Sequence, residues 1–274
     1  MKEGKEEIMH SVCCEIIKTC PLSCLHCSAK SHINTNKFIP FDELKKIVNQ
    51  AHDSGVETFY ISGGEPLLYP ELKQLVKYIK DLNISPVIYS SGALPLGNTI
   101  IPIQKETLNN LENTGLDSIA FSIFSLNSKK HDEITNTPNS LKVLYATLKN
   151  AKEIFYKTNI ELSFMPLTDT WEEIDEIINF ANTNGIYKLN ILKLIYQGRA
   201  KESGIISRAL SEKDEVDFVN KLKNIKNTST IIEISKLYDC EDYEHLQISP
   251  HTSGVNEYLV TYKQEFLLGR RFRD

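Results

Sequence analysis

Three cysteines lie within eight residues of the sequence, at Cys20, Cys24 and Cys27, separated by gaps of three and two residues. Thiolates this close together suit one soft metal centre, and cysteine selects zinc, copper(I) or iron–sulfur clusters. A closed zinc site takes four ligands, commonly as two Cys or Cys/His pairs, and the sequence has no second pair. The spacing therefore favours an iron–sulfur cluster with one iron left for a small molecule. A zinc site completed by His26 or His32 is the alternative.

The composition is that of an ordinary globular protein, with 274 residues, 41% of them hydrophobic and 24% charged. This length suits one large α/β domain or a domain with a short appendage. The formal net charge of -5 gives no electrostatic case for a nucleic-acid partner, and no apolar run is long enough to span a membrane. Three of the six cysteines share one loop, which indicates a reducing compartment and not a disulfide framework. We expect a cytoplasmic protein.

Strand and helix patterns alternate along the first 235 residues. The predicted strands cover residues 11–18, 56–62, 84–90, 117–124, 159–165 and 187–195. This alternation predicts a parallel sheet with right-handed crossovers. Six units instead of eight predict an α/β fold of the incomplete (β/α)6 barrel type, open on one side and spanning residues 1–235. Residues 236–274 are predicted to form a short C-terminal extension that contains a two-stranded hairpin.

Four short motifs fall at the carboxyl ends of predicted strands, where ligand sites lie in such folds. They are Cys20–Cys27, Gly63-Gly64-Glu65-Pro66, Ser90-Ser91-Gly92 and the single residue Ser122. Two glycines at the end of a strand let the backbone approach a ligand with no side chain between them. Unrelated turns would fall at either end of the strands, so the coincidence supports one shared site.

The cysteine loop, followed one unit later by Gly63-Gly64-Glu65, resembles the radical S-adenosylmethionine (radical SAM) enzymes, closest to their peptide-modifying and cofactor-forming branches. The resemblance implies that Cys20, Cys24 and Cys27 hold a [4Fe-4S] cluster whose free iron is chelated by S-adenosyl-L-methionine. Reduction of the cluster, by a donor such as flavodoxin or ferredoxin, then releases a 5′-deoxyadenosyl radical that abstracts a substrate hydrogen. The cofactor supplies this chemistry, and the protein orients it.

The resemblance also implies contacts to S-adenosylmethionine from His26, Gly63, Gly64, Glu65, Ser90, Ser122 and Ile195. In the family, the Gly-Gly-Glu segment takes the methionine amino group, and the serine of the fourth strand takes the carboxylate. The serine after the third strand meets the methionine or ribose end. The backbone of Ile195 borders the adenine, and His26 stacks beside the adenine or donates a hydrogen bond to the cluster.

The sequence departs from the family pattern at Ser91, where asparagine is usual, and at Glu161 and Ser163, where a Lys-x-Asn pair is usual. These departures leave a degenerate, inactive member as a further alternative. His131 is interpreted as a surface or helix-capping residue, and no catalytic acid or base is assigned. Relatives often carry a cysteine-rich extension, but only Cys240 follows the barrel, so we expect no auxiliary cluster.

The sequence therefore predicts a radical SAM enzyme that modifies a peptide or a peptide-derived precursor. This interpretation depends on Gln197-Gly198-Arg199-Ala200 after the sixth strand and on the predicted C-terminal hairpin. A small nucleotide, sugar or tetrapyrrole substrate is the alternative within the family. A zinc-binding scaffold without catalysis is the alternative outside it. Neither nucleic acid nor a membrane is an expected partner.

Overall fold

The computed structural model describes residues 10–225, 228–235 and 237–238, together with the backbone of residues 257–260 and 266–268. The strands in this part are β1 (Ser11–Ile17), β2 (Thr58–Gly63), β3 (Ser85–Ser90), β4 (Ala93–Leu96), β5 (Thr99–Pro102), β6 (Ser118–Ile123), β7 (Asn159–Phe164), β8 (Lys188–Ile191), β9 (Ile231–Ile234), β10 (Glu257–Val260) and β11 (Phe266–Leu268). The helices are α1 (Phe41–Asp53), α2 (Leu72–Asp81), α3 (Lys105–Glu112), α4 (Ser128–Thr135), α5 (Ser140–Ile154), α6 (Ile174–Asn184) and α7 (Glu212–Lys223). Cys240, and with it the expectation about an auxiliary cluster, lies outside the described residues.

Nine of the described strands form one sheet in the order β11-β10-β1-β2-β3-β6-β7-β8-β9. Its neighbouring strands run parallel except for β10 and β11. From β1 to β9, each connection between parallel neighbours contains at least one helix, which is the arrangement that the alternating pattern predicted. The α/β prediction with six strand–helix units is thus confirmed, and β9 continues the parallel series beyond them.

The predicted C-terminal hairpin is present, with Tyr258 opposite Leu268 in an antiparallel pair. Its first strand also pairs in parallel with β1, where Ser11 lies opposite Glu257. The sequence did not predict this addition, because a pairing between the two ends of the chain leaves no local pattern. None of the described helices combines the length and the apolar character needed to cross a bilayer.

Successive residues of β1 face opposite sides of the sheet, and this alternation separates the core from the interior of the barrel. Cys14 and Ile16 join the main hydrophobic core between the sheet and the helices. Cys13 and Glu15 face the other way and line an interior cavity. Cys13 and Cys14 are 1% and 0% exposed, and they pack on opposite sides of the sheet.

Two local features differ from the sequence predictions. Strands β4 and β5 form a small antiparallel hairpin around Gly97-Asn98, a dipeptide that is typical of tight turns and could have revealed it. The sixth predicted strand ends at Ile191 and not at Ile195. The chain leaves the sheet there because the following segment crosses to the cysteine loop, where the Arg199 N–H donates to the Cys27 carbonyl at 2.8 Å.

Candidate functional site

A cavity of about 220 Å³ lies at the carboxyl ends of the parallel strands. Loops that follow different strands bring the residues singled out in the sequence to this one place. Those among the described residues that line it are Cys20, Cys24, His26, Cys27, Gly63, Gly64, Ser90, Ser122 and Ile195. Glu65 lies behind this lining. The carboxyl ends of parallel strands share one edge, and the structure therefore groups motifs that are far apart in the sequence.

The cysteine loop, defined here as residues 18–40 between β1 and α1, is held at its base and in its middle. The Ile39 N–H donates to the Ile16 carbonyl at 2.8 Å, so the loop returns to the strand that it left. Farther along, the Leu25 N–H donates to the carbonyl of Ile134 at 2.9 Å. These bonds fix a loop that presents three free thiols to the same cavity.

Burial raises the pKa of the Cys20 thiol well above its ordinary value, and the nearby Cys24 and Glu65 raise it further. Burial and the neighbouring Cys27 raise the pKa of Cys24 to about 12, while Arg199 acts in the opposite direction. Thiols that disfavour one another's negative charge require a cationic centre if they are to be held together as thiolates. The iron atoms of a cluster provide such a centre.

Within the described part of the chain, no three His, Cys, Asp or Glu side chains form a group that could hold a single metal ion. A zinc ion would require its ligands to converge on one point, with zinc–sulfur distances of about 2.3 Å. An iron–sulfur cluster has no such requirement, because each thiolate binds a different iron atom. Three thiols that line one cavity therefore suit a four-iron cluster with one open iron.

The double glycine at the end of β2 lies directly against the start of the cysteine loop. The Gly64 N–H donates to the Ile17 carbonyl at 2.6 Å, and the Glu65 N–H donates to the Thr19 carbonyl at 2.8 Å. A Cβ atom on Gly64 would lie 2.1 Å from the Thr19 oxygen, and one on Gly63 would lie 2.2 Å from the Ile17 oxygen. Glycine is thus required here by the backbone of the protein itself.

The carboxylate of Glu65 connects this turn to the next one. Its Oε1 accepts a hydrogen bond from the Ser90 hydroxyl at 2.9 Å. Its Oε2 accepts the Ser91 N–H at 2.9 Å and the Ser91 hydroxyl at 2.6 Å. Burial raises the pKa of Glu65, whereas these hydrogen bonds lower it. Ser91, which departs from the family pattern, therefore serves as a donor to the buried glutamate.

Ser122 and Ser163 are directly opposite each other in the register of β6 and β7, and both line the cavity. Ser163 is 2% exposed, and its hydroxyl has no hydrogen-bond partner among the described residues. Ser163 is one of the departures from the family pattern, and no role was predicted for it. The period-two alternation of two parallel strands could have identified it, because equivalent positions of neighbouring strands face the same side.

The imidazole of His26 packs against Phe124, with ring centroids 4.5 Å apart. Burial lowers the pKa of His26 to about 4, with smaller contributions from Arg199 and His131. The ring is therefore neutral at neutral pH. A neutral imidazole can stack on another planar ring, whereas it carries no positive charge with which to bind an anion.

His131 is buried, contrary to the expectation of a surface or capping residue. It is 2% exposed, lines the cavity, and has its Nδ1 atom 3.0 Å from the Ser140 hydroxyl. The reason is its position on α4, one turn before Ile134 and Thr135 on the buried face of the helix. Burial lowers the pKa of His131 to about 4, although the neighbouring Asp132 raises it.

Glu161 has an ionic partner inside the barrel. The Lys188 ammonium lies 3.5 Å from a Glu161 oxygen and 3.0 Å from a Glu233 oxygen. The Asn190 amide donates to Glu161 at 2.9 Å. Burial by itself would lower the pKa of Lys188, but the two glutamates raise it. Glu161 is not among the described residues that line the cavity. Its contacts are with Lys188 and Asn190 of the neighbouring strand β8.

Comparison with known proteins gives a match to the Radical SAM superfamily over residues 14–181. A probable GTP 3′,8-cyclase of Sulfurisphaera tokodaii is 25% identical over 184 residues, which are 67% of this chain and 56% of that protein. An AdoMet-dependent heme synthase of Methanosarcina barkeri is 23% identical over 197 residues, which are 71% of this chain and 53% of that protein. The chain thus spans about half the length of the curated relatives that it matches.

Solved structures show the same fold. Streptococcus suis SuiB bound to precursor peptide SuiA has a TM-score of 0.71 at 18% identity, covering 94% of this chain and 58% of that chain. Native anSMEcpe with bound AdoMet and Kp18Cys peptide has a TM-score of 0.59 at 15% identity, covering 78% of this chain and 59% of that chain. These neighbours support the incomplete-barrel architecture.

Proposed function

Because the chain belongs to the radical SAM superfamily, we propose that it binds a [4Fe-4S] cluster and S-adenosyl-L-methionine in the cavity at the carboxyl end of its sheet. The observation that supports this most strongly is the convergence of Cys20, Cys24 and Cys27 on one cavity that Gly63 and Gly64 also line. When bound and reduced, the cluster would supply the electron that splits the sulfonium of S-adenosyl-L-methionine into methionine and a 5′-deoxyadenosyl radical, and this radical would take a hydrogen atom from the substrate.

The turn after β2 is proposed to hold the methionine amino group. The N–H groups of Gly64 and Glu65 are already bonded to the backbone of the cysteine loop. An ammonium group has only hydrogens to donate, so it would be received by carbonyl oxygens of this turn. The buried carboxylate of Glu65 contributes negative charge to the same place, since it is near enough to raise the pKa of Cys20.

The ends of β3 and β6 are proposed to hold the carboxylate and the sugar. Ser122 has a hydroxyl that can donate to the methionine carboxylate. Ser90 has donated its hydrogen to Glu65, so it can offer a ligand only a lone pair. That lone pair suits a donor such as a ribose hydroxyl or an ammonium group.

The adenine is proposed to lie beside His26 and the backbone of Ile195. Phe124, which also lines the cavity, contacts the neutral imidazole at a ring-centroid distance of 4.5 Å and restricts its orientation. Apolar side chains also line the cavity, among them Leu22, Met165 and Leu194. They exclude water, which protects a radical reaction from side products.

We propose a peptide or a peptide-derived precursor as the substrate. The fold likeness to SuiB, whose structure is bound to precursor peptide SuiA, extends over 94% of this chain. The C-terminal hairpin on which the sequence prediction depended is present beside β1. A small nucleotide is the second candidate, because GTP 3′,8-cyclases are among the sequence relatives. A reducing cytoplasm and a flavodoxin or ferredoxin as electron donor complete the proposal.

The test is anaerobic reconstitution with iron and sulfide, followed by incubation with S-adenosylmethionine and dithionite. The wild-type protein should be brown and should form 5′-deoxyadenosine. The Cys24→Ala variant should lose both properties. Cys14→Ala is the matched control, because Cys14 lies in the hydrophobic core on the other face of β1. Equal 5′-deoxyadenosine formation by Cys24→Ala and wild type would reject the assignment.

The substrate is tested by turnover with GTP and, separately, with the short peptides of a cell extract. Mass spectrometry after turnover should reveal a peptide whose mass changes only when S-adenosylmethionine is present. Conversion of GTP with no modified peptide would favour the second candidate.

A further inference from the structure

Arg199 lies across the cysteine loop and bonds to its backbone at several points. Its Nη1 atom donates to the Cys24 carbonyl at 2.7 Å, and its Nη2 atom donates to the Ser31 carbonyl at 2.6 Å. Its own N–H donates to the Cys27 carbonyl at 2.8 Å. One residue thus spans the part of the loop that carries two of the three cysteines. A planar guanidinium can hold two acceptors in fixed directions, as an ammonium cannot.

The residues near Arg199 in the sequence also contact the cysteine loop. Gly198 has a φ of +55°, and a Cβ atom there would lie 2.1 Å from the Ser28 oxygen and 2.6 Å from the Cys27 oxygen. On the other side, the Ser203 hydroxyl donates to the Leu25 carbonyl at 2.9 Å. The backbone after β8 is therefore in direct contact with the cysteine loop. Gly198 permits this close contact because it has no side chain, and Arg199 stabilises the contact through its hydrogen bonds.

The guanidinium also places a fixed positive charge beside the thiols. Its Nη1 atom is hydrogen-bonded to the carbonyl of Cys24 itself, so the charge lies against the segment that carries Cys24 and Cys27. A fixed positive charge favours the added electron of a reduced cluster, because reduction makes the site more negative. Net charge is one of the factors that set the reduction potential of iron–sulfur clusters.

We propose that Arg199 is a positioning residue for the iron–sulfur cluster, which holds the cysteine loop in its binding conformation and raises the reduction potential of the cluster. The inference rests on the proposed function, because it concerns the cluster that Cys20, Cys24 and Cys27 would hold. It gives the Gly-Arg pair after β8 a role in cluster binding that is separate from any contact with adenine.

Two variants separate the geometric effect from the charge. Arg199→Gln removes the charge and the two-pronged donor, whereas Arg199→Lys keeps the charge and loses the fork. Arg208→Gln is the matched control, because Arg208 pairs with Glu133 and Asp169 away from the cysteine loop. Each reconstituted protein is titrated with dithionite under argon, without S-adenosylmethionine, and the reduced cluster is followed by electron paramagnetic resonance. The rate of iron loss to a chelator is measured on the same samples.

We expect both Arg199 variants to lose iron about tenfold faster than wild type, since one charge-assisted hydrogen bond contributes about 1.5 kcal/mol or more. The reduction potential should become more negative in Arg199→Gln and stay near the wild-type value in Arg199→Lys. The inference is overturned if Arg199→Gln matches wild type in both properties, or if Arg208→Gln changes them equally. If Arg199→Gln does not fold, Arg199→Lys with wild-type iron retention overturns it as well. A wild-type protein that takes up no cluster would reject the proposed function itself.

Discussion

Glu65 and Ser91 are joined through a single carboxylate oxygen, which accepts the Ser91 N–H at 2.9 Å and the Ser91 hydroxyl at 2.6 Å. The second oxygen accepts the Ser90 hydroxyl at 2.9 Å. A fully buried carboxylate therefore connects the turn after β2 to the turn after β3. Two sides of the cavity wall are fixed relative to each other by a residue that does not itself line the cavity.

The first prediction concerns this connection. Glu65→Gln should lower the free energy of unfolding by about 2 kcal/mol, because the amide NH₂ cannot accept the hydrogen bonds that one carboxylate oxygen accepts. Affinity for S-adenosylmethionine should fall with it, as the two turns lose their alignment. Urea unfolding and calorimetric titration measure the two effects. Ser91→Ala is the milder comparison and should cost about 1 kcal/mol. If Glu65→Gln unfolds and binds S-adenosylmethionine as wild type does, the hydrogen bonds of Glu65 do not contribute to stability or to affinity.

The second prediction concerns the contact between the double glycine and the cysteine loop. In Gly64→Ala, the new methyl group would lie 2.1 Å from the Thr19 backbone oxygen, so the turn or the loop must move. We expect a loss of about 3 kcal/mol in stability and poor retention of iron after reconstitution. Gly97→Asn is the control, because the space around Gly97 is open and asparagine tolerates its φ of +56°. Normal iron retention in Gly64→Ala would contradict the packing described above.

The third prediction concerns acid stability and His131. Its pKa in the folded chain is about 4, below the ordinary value of 6.5. Between these two values the unfolded chain binds a proton that the folded chain does not. The contribution of His131 to the free energy of unfolding is therefore largest above pH 6.5 and is lost as the pH falls towards 4. For this residue the loss should reach about 2 kcal/mol near pH 5. The neighbouring Asp132 limits the effect, since its carboxylate is 3.9 Å away and favours the charged ring.

The measurement is urea unfolding of the apoprotein at pH 7 and near pH 5. His131→Gln does not titrate, so the stability difference between the two conditions should shrink by about 2 kcal/mol. His52→Gln, which changes a half-exposed histidine at the end of α1, should leave the difference as it is in wild type. An unchanged difference in His131→Gln would show that other groups cause the acid sensitivity.

The fourth prediction concerns the ion pairs inside the barrel. Lys188→Met would leave Glu161 and Glu233, whose side chains are 4% and 3% exposed, without their shared cation. Removing one partner of a buried pair costs about 3 to 5 kcal/mol. The variant should therefore unfold at a lower urea concentration than wild type. The double variant Lys188→Met with Glu161→Gln should recover part of the loss, and failure to recover any would argue against this arrangement.

The local patterns of the sequence were sufficient for the alternating parallel strands and helices, but not for the pairing of β10 with β1 or for the hairpin of β4 and β5. Alternating strand and helix periodicity gave the parallel sheet, and the motifs at strand ends were placed at one edge because parallel strands end on the same side. The cysteine spacing predicted a loop that binds one metal centre, and the structure places the three cysteines against one cavity.

The tertiary structure decided which partner each polar side chain has. Three of these contacts join residues that are distant in the sequence: Glu161 with Lys188, Ser91 with Glu65, and Arg199 with the cysteine loop. The burial of His131 depends on which face of α4 turns inwards, and the sequence leaves that orientation open. Periodicity specifies which side of an element a residue occupies. Hydrogen bonds and ion pairs depend on distances between elements, and those distances are fixed only when the elements pack together.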